Sequence, residues 1–223
     1  MKKIKEIYEL KKYGEIIRNI NYDDYLEFTN DEQCKEWGFS HYQNWSKTYL
    51  DNMRQMKKIG KSSFVDFSLE GYCGYLYSDI NKYLRNMDNN DILDSYKITA
   101  HVLAAVLCMA PRIPDNIVVY RLVCDEFIEE LIENNKQGIP TLERGFISTS
   151  MTLDIVKSEE PYNLNENLLK IYVSKDTIGV YVNSVANRSE NEILLYPNGY
   201  LRLIKKPYKQ LNKIVYECVI IYY

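Results

Sequence analysis

The feature that most constrains this chain is a change of hydrophobic period near its middle. Up to about residue 110 the apolar residues recur at three- and four-residue steps, and beyond residue 116 they come in compact β-branched runs. A stripe with a period near 3.6 buries one face of a helix, whereas short β-branched runs suit buried strands. Helices first and strands second predict an α+β fold with segregated elements.

The helical stripes can be followed residue by residue. Ile4, Ile7, Tyr8, Tyr13, Ile16, Ile17 and Ile20 form one stripe and predict an extra N-terminal helix within residues 1–30. Thr29 followed by Glu32 has capping-box spacing and opens a short helix toward Trp37. Tyr42, Trp45, Tyr49, Met53 and Met56 make another stripe, closed by Gly60. Ser62 or Ser63 can cap a helix running to about Glu70, and a further helix holds Ile80, Tyr83 and Leu84. Asp91 starts a long one through Leu93, Tyr96, Val102, Leu103 and Val106, stopped by Pro111 and Pro114. At this spacing Trp37, Tyr42, Trp45 and Tyr49 read as core of a helical layer.

Strands are expected over residues 117–123, 145–150, 168–173, 178–182, 192–196, 200–204 and 214–222, with a short helix over 127–133. Pro197-Asn198-Gly199 reads as a turn between two of the strands. No repeat or low-complexity linker divides the 223 residues, so a single domain over 1–223 is expected.

Composition removes several classes. The formal charge of −3, from 28 basic and 31 acidic residues, gives no overall attraction to nucleic acid or anionic lipid. No apolar run approaches the roughly 20 residues of a membrane helix, so no membrane insertion is expected. The start, Met1-Lys2-Lys3-Ile4-Lys5-Glu6, lacks the apolar stretch of a secretion signal, which leaves a non-classical route for any delivery. His41 and His101 stand apart and no paired-cysteine motif occurs, so no metal site is expected. Cys34, Cys73, Cys108, Cys124 and Cys218 are scattered and read as reduced, mostly buried thiols.

Three groups in the strand half could carry chemistry. Arg121 lies within an apolar run, where a guanidinium needs an anion, and either an internal carboxylate or a phosphate would serve. In Ser148-Thr149-Ser150, strand alternation sends Ser148 and Ser150 to one side, where a hydroxyl can orient a carboxylate. Glu190-Asn191-Glu192 would place two carboxylates on one side of a strand about 7 Å apart, a spacing for two separate roles on a substrate.

Arginine, Ser-Thr-Ser and Glu-x-Glu in that order resemble the Arg-Ser-Glu class of mono-ADP-ribosyltransferase toxins. Glu36-Trp37-Gly38 with Tyr42 and Trp45 is similar to the opening helices of clostridial binary-toxin enzyme components. The run from Tyr72 to Arg85 resembles that family's tyrosine-bearing segment, and the run from Ile113 to Arg121 its approach to the arginine. The likeness covers roughly residues 30–223.

The resemblance implies an ADP-ribosyltransferase fold, with an N-terminal helical layer packed on a two-sheet β core. It implies NAD as substrate. Arg121 would hold the NAD diphosphate, and the backbone of Leu122 would contact the nicotinamide amide. Tyr72, Tyr77 and Asn81 would line the adenylate and ribose side. Ser148 would position Glu192, which would hold the nicotinamide ribose 2′-hydroxyl and stabilise the cationic sugar. Glu190 would engage an acceptor guanidinium, since glutamate there goes with arginine acceptors in this class and glutamine with asparagine acceptors. A host protein acceptor is implied, with actin the first guess, and a separate translocation component is left open; a monomer is expected. Three departures stand out, the first being that residues 1–30 are too few for the N-terminal domain by which the binary toxins dock to a translocation partner. Residues 183–189 lack the aromatic these toxins usually carry ahead of the first glutamate, Tyr181 being the nearest. The segment after Ser150 holds no arginine, leaving Lys157 as the cation to meet a phosphate. An NAD glycohydrolase, or a non-catalytic module that keeps the fold, are the alternative functions.

Overall fold

The computed structural model describes residues 10–14, 16, 20–60, 69–86, 94–157, 166–186, 188 and 190–223. Its first long element, α1 (Asp31–Lys58), merges two stripes expected to be separate helices. The cap sits one residue later than Thr29: Asn30 accepts the Gln33 N–H at 3.0 Å. Gln33 Oε1 then reaches back to the Thr29 N–H at 3.0 Å and its hydroxyl at 3.1 Å. Asparagine is at least as good an N-cap as threonine, and the shift leaves Asp31 and Glu32 in the first turn, where the helix dipole favours acids. Gly38 does not break α1. It lies where the Tyr181 ring packs, and a Cβ there would overlap the ring.

After α1 come α2 (Leu69–Gly71), a π-helical turn (Tyr72–Leu76) and α3 (Tyr77–Arg85). The π turn accommodates Gly74, whose φ of −80° and ψ of −108° are non-helical. Such turns recur at functional sites. α4 (Asp94–Met109) ends short of Pro111, as expected, and α5 (Asp125–Lys136) follows the first strand. The expected caps Ser62 and Ser63, and the expected start at Asp91, lie outside the described residues. So do Ile4, Ile7, Tyr8 and Ile17 of the N-terminal stripe. Leu10 to Tyr13 are helical, but Gly14 at φ +72° interrupts the stripe before Ile20.

The strands are β1 (Ile117–Val123), β2 (Thr141–Glu143), β3 (Ile147–Ser150), β4 (Asn167–Val173), β5 (Gly179–Tyr181), β6 (Glu192–Leu195), β7 (Gly199–Leu203), β8 (Tyr208–Gln210) and β9 (Lys213–Ile221). Seven match expected runs; β2 and β8, three residues each, are too short to show a period. The hydrogen-bonded order is β2-β7-β9-β4-β1-β3-β6-β5, with β8 on β9. This ladder is nearly divided, because β1 meets β3 at the single pair Tyr120↔Ser150. On one side lie β2, β7, β9, β4 and β1, on the other β3, β6 and β5. Val119, Leu169, Ile171 and Cys218 of the first part share a buried cluster with Ile147, Ile193 and Val180 of the second, and with Tyr42, Ile80 and Leu103 of the helices. The two-sheet core under a helical layer is thus present.

The turn at Pro197–Gly199 does not close a hairpin. β6 pairs with β3 and β5 while β7 pairs with β2 and β9, so the turn carries the chain from one sheet to the other. The opposite face of β1, β4 and β9 buries a second cluster of Val118, Tyr120, Leu122, Leu168, Tyr172 and Val215. Ile20, Tyr25, Leu153 and Val156 cover it. No helix among the described residues is long and apolar enough to cross a membrane. All five cysteines are free; Cys34, Cys73 and Cys218 are buried, while Cys108 and Cys124 are exposed.

Candidate active site

Alternation along β1 puts Ile117, Val119 and Val123 in the main core and Val118, Tyr120 and Leu122 in the outer cluster. Arg121 falls on the core side, where β1 and β3 part company after Tyr120↔Ser150. Its guanidinium therefore enters the wedge between the two sheets, and Nη1 donates to the Ser148 carbonyl at 3.2 Å. The Ser148 hydroxyl donates to Glu192 Oε1 at 2.5 Å. Ser148 is registered opposite Leu194, so Glu192 is its diagonal neighbour on the same face of the β3–β6 pair. Arg121 and Glu192 thus converge on Ser148. The other two residues of the triplet are spent locally: Thr149 bonds the Ile193 carbonyl and Ser150 the Thr152 carbonyl.

Glu192 is 5% exposed. Burial pushes its carboxyl above the usual carboxylate range; the Ser148 hydrogen bond, Arg188 and Arg121 pull it back, and Glu190 pushes it further up. Glu190 sits in the bend before β6, not in the strand as the sequence suggested, and is half-buried. The residue between the two glutamates points the other way. Asn191 is buried, accepting from the Tyr181 hydroxyl at 2.7 Å and donating to Asp31 at the start of α1 at 2.8 Å. Asn183 Oδ1 takes the Glu192 N–H at 3.0 Å. Tyr181 itself is fully buried at the end of β5, so it offers no exposed ring.

Among the described residues, Arg121 has one carboxylate within ion-pair reach. Glu143 Oε2 approaches Arg121 Nη2 at 4.0 Å, but its strong partner is Arg85. Arg85 makes two hydrogen bonds of 2.9 Å to the two oxygens of Glu143, which also accepts the Gly145 N–H at 2.8 Å. Burial opposes ionisation of Glu143, yet Arg85 and Arg121 outweigh it and hold its carboxyl below the ordinary range. With Glu143 committed to Arg85, Arg121, 20% exposed at its side chain, makes a single hydrogen bond among the described residues. A guanidinium has five donors, and the remainder fit a diphosphate.

The other expected NAD contacts divide. Tyr72 and Asn81 are buried, and they bind the protein's own backbone. Asn81 Nδ2 donates to the Tyr72 hydroxyl at 2.9 Å, and Asn81 Oδ1 accepts the Phe146 N–H at 2.8 Å. Both lie under the chain entering β3, where the Tyr72 hydroxyl and Asn81 Nδ2 also reach the Phe146 carbonyl at 3.4 Å. Tyr77, at the start of α3, is 53% exposed. Leu122 turns its side chain into the outer cluster and pairs with Leu168. Lys157 is exposed and ion-paired with Asp154 at 2.5 Å, while Pro161 lies outside the described residues. Sequence reasoning gave no role to Arg85, Asn183 or Arg188. Arg188 Nε stands 3.3 Å from Glu192 Oε2.

Comparison with known proteins agrees with this architecture. Plx2a, an ADP-ribosyltransferase toxin of Paenibacillus larvae, superposes with a TM-score of 0.66 at 19% identity over 88% of this chain and 100% of its own. BECa, the ADP-ribosylating component of a Clostridium perfringens binary enterotoxin solved with NADH, gives 0.68 at 18% identity over 88% of this chain; the match spans 50% of BECa. The C3 exoenzyme of Clostridium limosum gives 0.63 at 16% identity, over 89% of this chain and 98% of its own. No curated protein matches. At such identities these likenesses speak to the fold. The family model of the ADP-ribosyltransferase exoenzyme, however, matches residues 34–213, most of the sequence and every residue that meets at the wedge. The chain belongs to the ADP-ribosyltransferase exoenzyme family, with NAD as its substrate.

Proposed function

We propose that this enzyme transfers ADP-ribose from NAD to an arginine of a host protein and releases nicotinamide. The observation that carries the reading is a buried Glu192 clasped by Ser148, with the second carboxylate of Glu190 close enough to raise its proton affinity. Breaking the nicotinamide–ribose bond builds positive charge on the sugar. A fixed carboxylate in a site shielded from water stabilises that charge more than it stabilises the neutral ground-state ribose. Arg121 supplies the guanidinium for the diphosphate. Glu190, more exposed than Glu192, meets the acceptor and takes its proton. A guanidinium with a pKa above about 12 is a poor nucleophile until such a partner relieves it of that proton.

The acceptor is a protein in the host cytoplasm, with actin the first to test, and a separate translocation component is the delivery partner to look for. An exposed aromatic beside the site comes from the π turn in place of the Glu190 loop: Tyr75 is 88% exposed, two residues from Cys73, whose carbonyl bonds Arg188.

Incubation with labelled NAD and a host-cell lysate, followed by mass mapping, tests the reading. Label on protein arginines is expected. Glu190→Gln should lose protein transfer and keep slow NAD hydrolysis. Label that stays in solution as free ADP-ribose would make the enzyme an NAD glycohydrolase, and no nicotinamide release at all would make it a binding module.

A further inference from the structure

Both oxygens of Glu192 are engaged, and the second engagement has no part in the chemistry above. Ser148 holds Oε1. Arg188 holds Oε2 through Nε at 3.3 Å, while its Nη1 donates to the Cys73 carbonyl in the π turn at 2.6 Å. The Arg188 carbonyl accepts from Asn183 Nδ2 at 3.1 Å, and the same Asn183 side chain receives the Glu192 N–H. One guanidinium therefore ties the helical layer to the carboxylate, and one amide ties the arginine's backbone to that of the glutamate.

We propose that Arg188 is a positioning residue, which fixes Glu192 and the bend carrying Glu190 against the Tyr72–Leu76 turn in the arrangement that cleaves NAD. This rests on the reading that Glu192 stabilises the developing ribose charge. The Ser148 hydrogen bond on one oxygen and the Arg188 charge 3.3 Å from the other restrain the carboxylate, and a misplacement of about 1 Å at such a group can cost about a hundredfold in rate. The charge matters as well. The groups facing Glu192 are Ser148 from β3, Arg121 from β1, Tyr72 and Cys73 from the π turn, and Glu190 and Arg188 from its own loop. Glu190 and burial both favour the protonated form, and Arg188 opposes them. Lysine could supply the charge but not the fork that reaches two acceptors at once.

The test measures nicotinamide release from NAD by the full chain across pH, with NAD affinity and thermal melting measured alongside, for Arg188→Gln, Arg188→Lys and Glu192→Gln. Arg188→Gln should lower kcat at neutral pH by about ten- to a hundredfold, move the acid limb of the profile to higher pH, and change NAD affinity little. Arg188→Lys should return the acid limb toward its original place while recovering only part of kcat, and it carries the test if Arg188→Gln does not fold. Wild-type kcat and acid limb in the Arg188 variants beside an inactive Glu192→Gln would overturn the proposal alone, as would faster turnover, which would make Arg188 a brake. Wild-type turnover in Glu192→Gln would instead bring down the reading beneath it.

Discussion

Two glutamates that expose little surface behave in opposite ways, the one at the wedge lying deeper in the protein. Glu192, at the wedge, is 5% exposed and its carboxyl is pushed up; Glu217, on β9 beneath the outer face, is 2% exposed and its carboxyl is held down. Burial works against ionisation in both. At Glu217 it is outweighed by donors: Lys205 Nζ at 2.9 Å and the Tyr208 hydroxyl at 2.8 Å on Oε1, and the Tyr172 hydroxyl at 3.0 Å on Oε2. Nearby, Glu27 accepts from Tyr120 and Lys170 and ties the chain ahead of α1 to the same face. At Glu192 the donors are fewer and Glu190 adds repulsion. The first arrangement lowers the energy of the fold. The second keeps a carboxylate at a cost, as sites built to act on a substrate commonly do.

That contrast can be broken by substitution, the largest effect first. Glu192→Gln should cut nicotinamide release by about 10²–10³-fold, with NAD still bound in a titration and the melting temperature held or raised. Gly38→Ala should cost about 3 kcal/mol in denaturant unfolding, because the new methyl meets the Tyr181 ring in a filled core. It should also slow turnover, since Tyr181 holds Asn191 between the two glutamates. Glu217→Gln should do the reverse of Glu192→Gln. Stability falls by about 2 kcal/mol, the scale of hydrogen bonds to a buried charge with the half-exposed Lys205 discounted, and kcat is unchanged. If Glu217→Gln lost turnover at intact stability, the two carboxylates would not be divided in this way.

The pH dependence sharpens the same division. A carboxyl held down in the fold contributes stability that is present above the ordinary carboxylate range and is lost as pH falls through its lowered value, which is the case for Glu217 and Glu143. A carboxyl pushed up does the opposite, and the role proposed for Glu192 requires it ionised. On acidification, turnover should therefore fail above the ordinary range, before thermal melts show loss of stability. Coincident losses would undo the comparison. The smallest effect is expected at Lys157→Ala, which removes an exposed pair with Asp154 and should change stability by less than about 1 kcal/mol.

Much of this was legible in the residues. β1 shows itself as a continuous apolar run because it is buried on both faces, and α4 ends where prolines allow no helix. Arg121, Ser148, Glu190 and Glu192 could be named from their order along the chain. The hydrogen bonds by which Tyr72 and Asn81 brace Phe146 have no sequence signal, because that partner lies 74 and 65 positions away. Arg188 had no signal at all, since its partner is a backbone carbonyl 115 positions away.

Hydrophobic period, β-branching and prolines act over a few residues, so the chain alone determined the succession of elements and the residue types available for chemistry. Which strands pair, where β1 and β3 separate, and why one buried glutamate is strained while the other is satisfied were decided only by the folded whole. Those outcomes depend on donors and charges brought together from distant segments, and no local pattern encodes their count or direction.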